Sequence, residues 1–338
     1  MISLKQRLFE LSNADSVGNI TDGRNLAFNM LSEFCEVEKT DNLTVIGFLK
    51  GESDYTLMLD AHIDQVAMIV TNIDDNGFLT LSKSGGIDIR SLPSRRVIVH
   101  GKEKVPAVFC STPPHLATGE VEFKNIADIK LDTALGNKAK DIISVGDYVT
   151  FKSEACELLG GRVSGRSFDN RSSVACLITV AQRLSGKKLP FNVAFVLSDG
   201  EELGLRGIRT ASFKIDPQEA IAVDVSFGDR IGISDEESAK LGSGAMIGIS
   251  PTLDSSVSKK LISVCESNNI PYTVEVMGGR TGTNADMISV NREGVKTCTL
   301  SIPLRNMHTE VEVVDISDLE SVCNTLYYYI LGGGVMNV

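Results

Sequence analysis

The sequence contains no Cys-x-x-Cys pair, although seven of its 338 residues are cysteines. The cysteines are odd in number and scattered from Cys35 to Cys323. This distribution argues against a thiolate metal site, a redox dithiol and a disulfide framework. Reduced, mostly buried thiols are typical of cytoplasmic proteins, so we expect a cytoplasmic location.

Long apolar runs and an excess of basic charge are also missing. No apolar run approaches the ~20 residues that a membrane span needs. The first residues mix charged and apolar side chains as an amphipathic helix does, without the apolar core of a signal peptide. The net charge of −11, from 33 basic and 44 acidic residues, argues against general binding to nucleic acid or anionic membranes. We therefore expect neither as a partner.

Strand-like and helix-like segments alternate in the first and last parts of the chain. Short apolar runs predict buried strands, and apolar residues at helical spacing predict helices. The predicted strands include Thr56–Leu59, Asn192–Leu197, Ala220–Asp224, Tyr272–Val276 and Val295–Ile302, and the predicted helices include Asn170–Leu184, Ser256–Ser267, Asn284–Val290 and Ile316–Leu331. This alternation predicts an α/β fold with a mainly parallel central sheet and helices on both faces.

The middle of the chain, residues 69–159, has a different pattern. Glycine and proline interrupt short strand-like segments there, and little helical spacing remains. This pattern predicts a small β-barrel-like domain. Because the α/β pattern begins before it and resumes after it, we expect an insertion that divides the main domain into residues 1–68 and 160–338.

Ligand-type side chains follow several predicted strands. The sequence has only four histidines, of which His62 and His308 come after buried strands. His100 and His115 lie in turns of the β-rich middle, and we interpret them as structural. Acidic residues occupy positions like those of His62 and His308. Asp224 ends a strand, the Glu201–Glu202 pair follows another, and Asp169 stands between an extended stretch and a helix that it is placed to cap.

The carboxyl ends of strands in an open α/β sheet line one crevice, so we expect these side chains to converge. Imidazole and carboxylate without thiolate suit zinc, cobalt or manganese. Two histidines and three carboxylates exceed the needs of one tetrahedral ion. They suffice for two ions about 3.5–4 Å apart if one carboxylate bridges them. One glutamate of the pair is then free to act as a base, and the spacing leaves open which one.

Five motifs occur in a fixed order: LDAHIDQV, GRSFDNRSS, SDGEELGLRG, AVDVSFGD and NMHTEVEV. Together they resemble the dinuclear metallo-aminopeptidases that build tetrahedral twelve-subunit (TET) particles, a family with glutamyl aminopeptidases and proteins once described as endoglucanases. VPAVFCSTPPHL and ISVGDYVTF resemble the inserted β-domain of that family. The resemblance implies a zinc-peptidase-like catalytic domain, an inserted domain that acts as a lid or in oligomerisation, a dodecameric homo-oligomer and peptide substrates.

The family pattern implies two divalent metal ions per subunit, zinc first and cobalt or manganese as alternatives. Asp169 would bridge the two ions. The other implied ligands are His62 and Asp224 on one ion, and Glu202 and His308 on the second.

Two further residues would assist the implied reaction. Asp64 would orient His62. Glu201 would be the general acid/base that takes a proton from a metal-activated water and delivers it to the leaving amine. The resemblance thus implies a metal-dependent aminopeptidase.

The sequence departs from the family pattern at two positions. Gln65 replaces a common glutamate, and Asn284 replaces a common aspartate. Neither is an implied ligand, and we expect both on the substrate side of the site. Arg280 and Thr281 are further candidates for the substrate pocket, whereas Asp199 has no predicted role.

Three other functions compete with this interpretation. A metal-dependent deacylase or carboxypeptidase of the same clan usually carries its extra domain between the fourth ligand and the last histidine. Here the β-rich gap lies between Asp64 and Asp169, which favours the aminopeptidase. A glycosidase has no use for two histidines at strand ends. A particle-forming protein with a disabled site is disfavoured because every implied ligand is present.

Overall fold

The computed structural model describes residues 2–116, 124–230, 232–234 and 236–335. Its strands are β1 (Glu36–Lys39), β2 (Val45–Leu49), β3 (Thr56–His62), β4 (Ala67–Ile73), β5 (Leu79–Ser84), β6 (Arg96–His100), β7 (Lys104–Phe109), β8 (Leu131–Asp132), β9 (Tyr148–Phe151), β10 (Cys156–Glu157), β11 (Arg162–Gly165), β12 (Asn192–Ser198), β13 (Glu219–Phe227), β14 (Ala245–Ile249), β15 (Tyr272–Val276), β16 (Lys296–Leu304) and β17 (Glu312–Asp315).

The helices are α1 (Leu4–Asn13), α2 (Asp22–Ser32), α3 (Ala139–Ile142), α4 (Phe168–Leu184), α5 (Arg206–Ile215), α6 (Ser255–Ser267), α7 (Ala285–Ile288) and α8 (Ile316–Leu331). Short 3-10 turns occur at Ile89–Ser91, Pro114–Leu116, Ile126–Asp128, Gly136–Lys138 and Leu159–Gly161. None of the helices in the described part of the chain is long and apolar enough to cross a membrane.

The central sheet has eight strands in the order β1-β2-β12-β3-β13-β16-β14-β15. The four middle strands, β12, β3, β13 and β16, run parallel to one another. Antiparallel strands β2 and β14 flank them. The predicted α/β fold with a mainly parallel sheet is therefore confirmed, and the carboxyl ends of the parallel strands lie at one edge.

Both faces of the central sheet are covered by helices. Successive side chains of a strand point to opposite faces, so Leu57 and Leu59 of β3 enter one core and Met58 enters another. The larger core packs against α1, α2, α4, α6 and α8, and the smaller one against α5 and α7. Each fully buried leucine contributes roughly 1.5–3 kcal/mol of transfer free energy.

The middle of the chain forms a closed barrel with the strand order β4-β5-β8-β7-β6-β9. It encloses its own core, which includes Met68, Val99 and Phe109. Closure leaves these strands no free edge for pairing with another chain. The predicted β-barrel-like unit is therefore present, and in the chain it follows the first three strands of the central sheet, β1 to β3, and precedes the other five.

A small antiparallel sheet joins chain segments that are distant in sequence. It has the order β10-β11-β17, and Val163 of β11 lies opposite Val314 of β17. This pairing brings the segment after β11 next to the segment before β17. Those two segments carry Asp169 and His308.

Candidate metal centre

Four of the candidate residues lie at the carboxyl edge of the parallel strands. His62 is the last residue of β3, and its backbone lies opposite Ser198, the last residue of β12. The Glu201–Glu202 pair follows β12 directly. Asp224 lies on β13, which pairs with β3. The central sheet therefore places these side chains around one crevice, as the sequence predicts.

Asp169 reaches the same crevice by a different route from the one predicted. It follows β11, which belongs to the small sheet and not to the central one. The prediction that it caps α4 is wrong, because α4 begins at Phe168, before Asp169, and both carboxylate oxygens of Asp169 are directed at other side chains. Its carboxylate instead faces two histidines. Pairing of β11 with β17 provides the position that a central strand was expected to provide.

One group of donors consists of His62, Asp169 and Asp224, all of which are buried. Nε2 of His62 lies 3.1 Å from Oδ1 of Asp169 and 3.8 Å from Oδ1 of Asp224. One ligand atom from each residue lies within 4.8 Å of the others. This spacing could hold a metal ion.

A second group consists of Asp169, Glu202 and His308, and one ligand atom from each of these residues also lies within 4.8 Å of the others. Nε2 of His308 lies 3.2 Å from Oδ2 of Asp169 and 3.3 Å from Oε1 of Glu202. The two oxygens of Asp169 thus face different histidines, one in each group. A carboxylate shared in this way is the arrangement that two neighbouring ions require. The residues fit divalent ions, and we call the two groups together the metal cluster.

Asp64 supports the cluster from beneath. Its Oδ1 lies 3.5 Å from Nδ1 of His62 and accepts a hydrogen bond of 3.0 Å from the Glu201 amide. Its Oδ2 accepts one of 3.2 Å from the Glu202 amide. One buried carboxylate therefore orients a histidine and also positions the backbone of both glutamates. This agrees with the orienting role that the family resemblance implies.

Negative charge dominates the cluster and shifts the pKa of several groups. Burial raises the pKa of Glu201 to about 7; His62 opposes this effect, and Glu202 and Asp169 add to it. Burial also raises the pKa of Asp224 well above its usual range, against the opposing effect of His62. Bound cations offset crowding of this kind.

The pKa values of the two histidines are also raised. Burial is the largest single effect and lowers the pKa of each, but hydrogen bonds and charges of the surrounding carboxylates, Asp169 first among them, together outweigh burial. The pKa of His308 rises to about 11, with help from Glu202. The pKa of His62 also rises well above its usual value, with help from Asp64. The surrounding carboxylates therefore favour a positive charge at the histidines, and a bound metal ion would supply one.

Sequence reasoning missed Glu312, a buried residue of β17 in the NMHTEVEV motif. Its Oε2 accepts a hydrogen bond of 3.2 Å from the Asp169 amide, and its Oε1 accepts one of 2.8 Å from the His308 amide. It thus holds the backbone of two cluster residues from the small sheet. The available signal was the alternation of glutamate and valine over residues 310–313, which is typical of a strand and contains an acidic residue close to His308.

The structure assigns a contact to Asp199, the residue without a predicted role. Arg24 of α2 lies 2.6 Å from Oδ1 of Asp199 and is 2% exposed as a side chain. Arg24 also donates to the carbonyl oxygens of Gly18 and Ile20. The ion pair therefore ties the loop that carries Glu201 to the amino-terminal segment.

Neither departure from the family pattern lies where we expected it. Gln65 is buried, and its Oε1 accepts from the Ser16 amide and from Arg171. Asn284 is also buried, and its amide donates to Asp60 at 2.7 Å. Both side chains point into the interior, where they form hydrogen bonds with buried partners. The expectation that they lie on the substrate side is wrong.

The metal cluster opens into a cavity of about 610 Å³. Arg280 and Thr281 line this cavity, as predicted. His100 and His115 lie elsewhere. His100 contacts Thr150 at 2.9 Å, and His115 is exposed in a 3-10 turn.

Comparison with known proteins agrees with this geometry. Residues 44–324 match the family of M42 glutamyl aminopeptidases. A lysyl aminopeptidase of Pyrococcus furiosus is 29% identical over 307 residues, which cover 88% of each protein.

Two solved structures resemble the whole chain. An aminopeptidase from the archaeon Desulfurococcus kamchatkensis has a TM-score of 0.91 at 28% identity, covering 98% of this chain and 95% of that one. The TET1 peptidase of Pyrococcus horikoshii, which can assemble into a tetrahedron or a large octahedral shell, has a TM-score of 0.87 at 27% identity, covering 97% and 99%. The chain therefore belongs to the M42 glutamyl aminopeptidase family, and it is a peptidase.

Proposed function

We propose that this protein removes amino-terminal residues from peptides and that two divalent metal ions per subunit, zinc before cobalt or manganese, support the reaction. The observation that carries the proposal is the pair of donor groups that share Asp169. His62 and Asp224 complete one group, and Glu202 and His308 complete the other. Zinc suits these imidazole and carboxylate ligands.

The ions, when bound, supply Lewis acidity that lowers the pKa of water and polarises a peptide carbonyl. Glu201 lies beside the ligands, with an atom within 4.8 Å of His62 and Glu202 donors. Its carboxylate accepts a proton from the attacking water and returns it to the leaving amine. A pKa raised by burial suits a group that must both take and give a proton near neutral pH.

Asp64 and the crowd of carboxylates complete the proposed site. Asp64 keeps the His62 ring and the Glu201 backbone in place through the contacts described above. The negative side chains favour a substrate with a free, positively charged α-amino group. Recognition of that group limits cleavage to the first peptide bond, which defines an aminopeptidase.

A panel of aminoacyl-p-nitroanilides tests this function in protein loaded with zinc, cobalt or manganese. We expect release of p-nitroaniline from at least one substrate, loss of activity with EDTA and recovery when metal is restored. The acetylated form of the best substrate is the matched control and should resist hydrolysis. Equal hydrolysis of the acetylated substrate would favour a deacylase or an endopeptidase, and chelator-resistant cleavage of glucan would favour a glycosidase.

We also propose that the chain forms a tetrahedral homo-dodecamer. The support is its likeness over nearly the full length to TET1 of Pyrococcus horikoshii. The inserted barrel, proposed to span residues 69–159, would act in assembly or as a lid. The seven cysteines are unpaired, which suits a reducing compartment, and we propose that the enzyme acts in the cytoplasm.

A further inference from the structure

Part of the wall of the cavity next to the metal cluster consists of residues other than the ligands. Apolar side chains form much of it: Leu205, Phe227, Met277 and Met307. Besides Glu201, two carboxylates outside the cluster, Glu275 of β15 and Asp286 of α7, also line the cavity. An apolar wall with an acidic group favours a ligand that has an apolar stem and a positively charged end.

The register of the sheet places Glu275 on the same face as the ligand Asp224. Asp224 lies opposite Ser301, which lies close to β14, and Glu275 lies opposite Gly248 of β14. Because Gly248 has no side chain, Glu275 reaches back over β14 towards the cluster. Its carboxylate accepts hydrogen bonds from Ser226 and, at 3.3 Å, from Ser301.

Both partners of Glu275 are neutral hydroxyl groups. Among the residues that the structure describes, no lysine, arginine or histidine forms an ion pair with it. A carboxylate accepts about four hydrogen bonds, so capacity remains for a ligand. Glu275 is half-buried, and an anion in that environment without a cationic partner carries a desolvation cost that a cationic ligand reduces.

The other charged groups of this wall are arranged differently. Asp286 already accepts from the amides of Thr281 and Gly282, and it therefore shapes its own loop. Arg280 is exposed at the rim and forms no ion pair within the described ranges. Glu275 is thus the charge best placed to meet a side chain that enters the cavity.

We propose that this cavity selects peptides whose first residue is basic, lysine or arginine, and that Glu275 is the specificity-determining residue. The inference rests on the proposed aminopeptidase function. Ser226 lies two residues beyond Asp224, which places the Glu275 carboxylate about 7 Å along the strand from the cluster. A long basic side chain spans this distance, with its stem on Phe227 and Met277 and its charged end on Glu275.

Lysyl- and norleucyl-p-nitroanilide test this selection because their stems are alike and only lysine carries the terminal charge. In metal-loaded wild type we expect kcat/KM to favour lysine by about tenfold or more. In Glu275→Gln the lysine-to-norleucine ratio should fall about 10- to 100-fold, the loss of one charge-assisted hydrogen bond. Glu236→Gln, which removes the same charge from an exposed residue of the adjacent groove, is the matched control and should keep the wild-type ratio.

Competition by lysinamide and norleucinamide against wild type gives a second measurement that needs no variant, and lysinamide should inhibit more strongly. A wild-type ratio near one, a stronger effect of norleucinamide, or a ratio unchanged in Glu275→Gln would overturn the basic selectivity. Hydrolysis of the norleucyl substrate in that case leaves the aminopeptidase function standing. Failure to hydrolyse any unblocked substrate would overturn that function itself.

Discussion

Glu201 and Glu202 are neighbours in sequence with different surroundings. Glu202 directs Oε1 towards His308, whereas Glu201 lies nearer His62 and has its pKa raised to about 7. The amides of both are fixed by Asp64. The geometry therefore supports different tasks for the two carboxylates, metal binding for Glu202 and proton transfer for Glu201.

Replacing Glu201 with Gln removes the proposed base and keeps its shape. We expect kcat to fall about 10²- to 10⁴-fold, the usual contribution of general acid–base catalysis. Bound metal, measured by mass spectrometry of the purified protein, should stay near the wild-type content. Glu202→Gln is the matched control, and it should lose metal as well as activity. Retained turnover in Glu201→Gln would remove the role assigned to that residue.

Asn284 and Asp60 form a second residue-scale pair, and we expect Asn284→Asp to destabilise the fold by about 1–3 kcal/mol. The change places a new carboxylate 2.7 Å from the buried Asp60, whose pKa burial already raises to about 6. The double variant Asp60→Asn with Asn284→Asp restores one carboxylate and one amide. Urea unfolding should show the double variant to be more stable than Asn284→Asp alone. Additive losses would contradict this coupling.

Loops between elements are held by buried charge as well as by apolar packing. Arg24 of α2 anchors the loop after β12 through Asp199, and Asp318 of α8 anchors the loop before β14. Asp318 accepts hydrogen bonds of 2.8 and 2.7 Å from the amides of Gly242 and Gly244. Backbone amides in these irregular loops have no partner strand or helix turn, and buried carboxylates accept their hydrogen bonds instead.

Asp318 gives the fold a dependence on pH. Burial raises its pKa to about 6, although the two glycine amides oppose the shift. A raised carboxyl pKa means that the folded state binds the proton more tightly. The resulting stabilisation is complete below about pH 4 and is lost as pH rises through about 6.

Between pH 4 and 7 the wild type should therefore lose up to about 3 kcal/mol of unfolding free energy relative to Asp318→Asn. Denaturant unfolding at several pH values, with EDTA present to keep metal out of both proteins, measures this difference. Parallel stability curves for the two proteins would show that Asp318 does not titrate in this range.

Helices and strands with a regular spacing of apolar residues were predictable from the sequence. Contacts between residues far apart in the chain were not. The strand Tyr272–Val276 and the helix Ile316–Leu331 were predicted with the bounds that the structure has. Strand-end positions also indicated His62, the Glu201–Glu202 pair and Asp224, since parallel strands end at one edge, whereas Asp169 follows a strand of the small sheet. Arg24 and Glu312 escaped prediction because their roles depend on contacts across 175 and 143 residues of chain.

At the scale of the whole molecule, the resemblance to TET particles makes assembly the main prediction. We expect native mass spectrometry or light scattering to give a mass of about twelve times the 36.4 kDa subunit. The exposed apolar side chains, which include Leu159 at 95% and Val276 at 74%, are candidates for burial between subunits. A monomeric mass at micromolar concentration would contradict the proposed dodecamer.

Sequence predicted the α/β sheet and the barrel because each has a different periodicity. Strand β14 was not predicted, because its short apolar run lies between glycines that indicate turns. Its antiparallel direction depends on pairing with β16, which the sequence does not show. The boundaries at residues 69 and 159 stay a prediction. The location of Gln65 and Asn284 was wrong because chain position near a ligand does not fix the direction of a side chain.

The position of Asp169 between His62 and His308 has a consequence for synthesis of the chain. The cluster draws on residues from His62 to His308, and Glu312 holds two of them from the last strand. A ribosome must therefore release the chain as far as His308 before all the donor groups can meet. A nascent chain that does not yet include His308 lacks part of the donor set, so we expect the proposed activity only after that residue has left the ribosome.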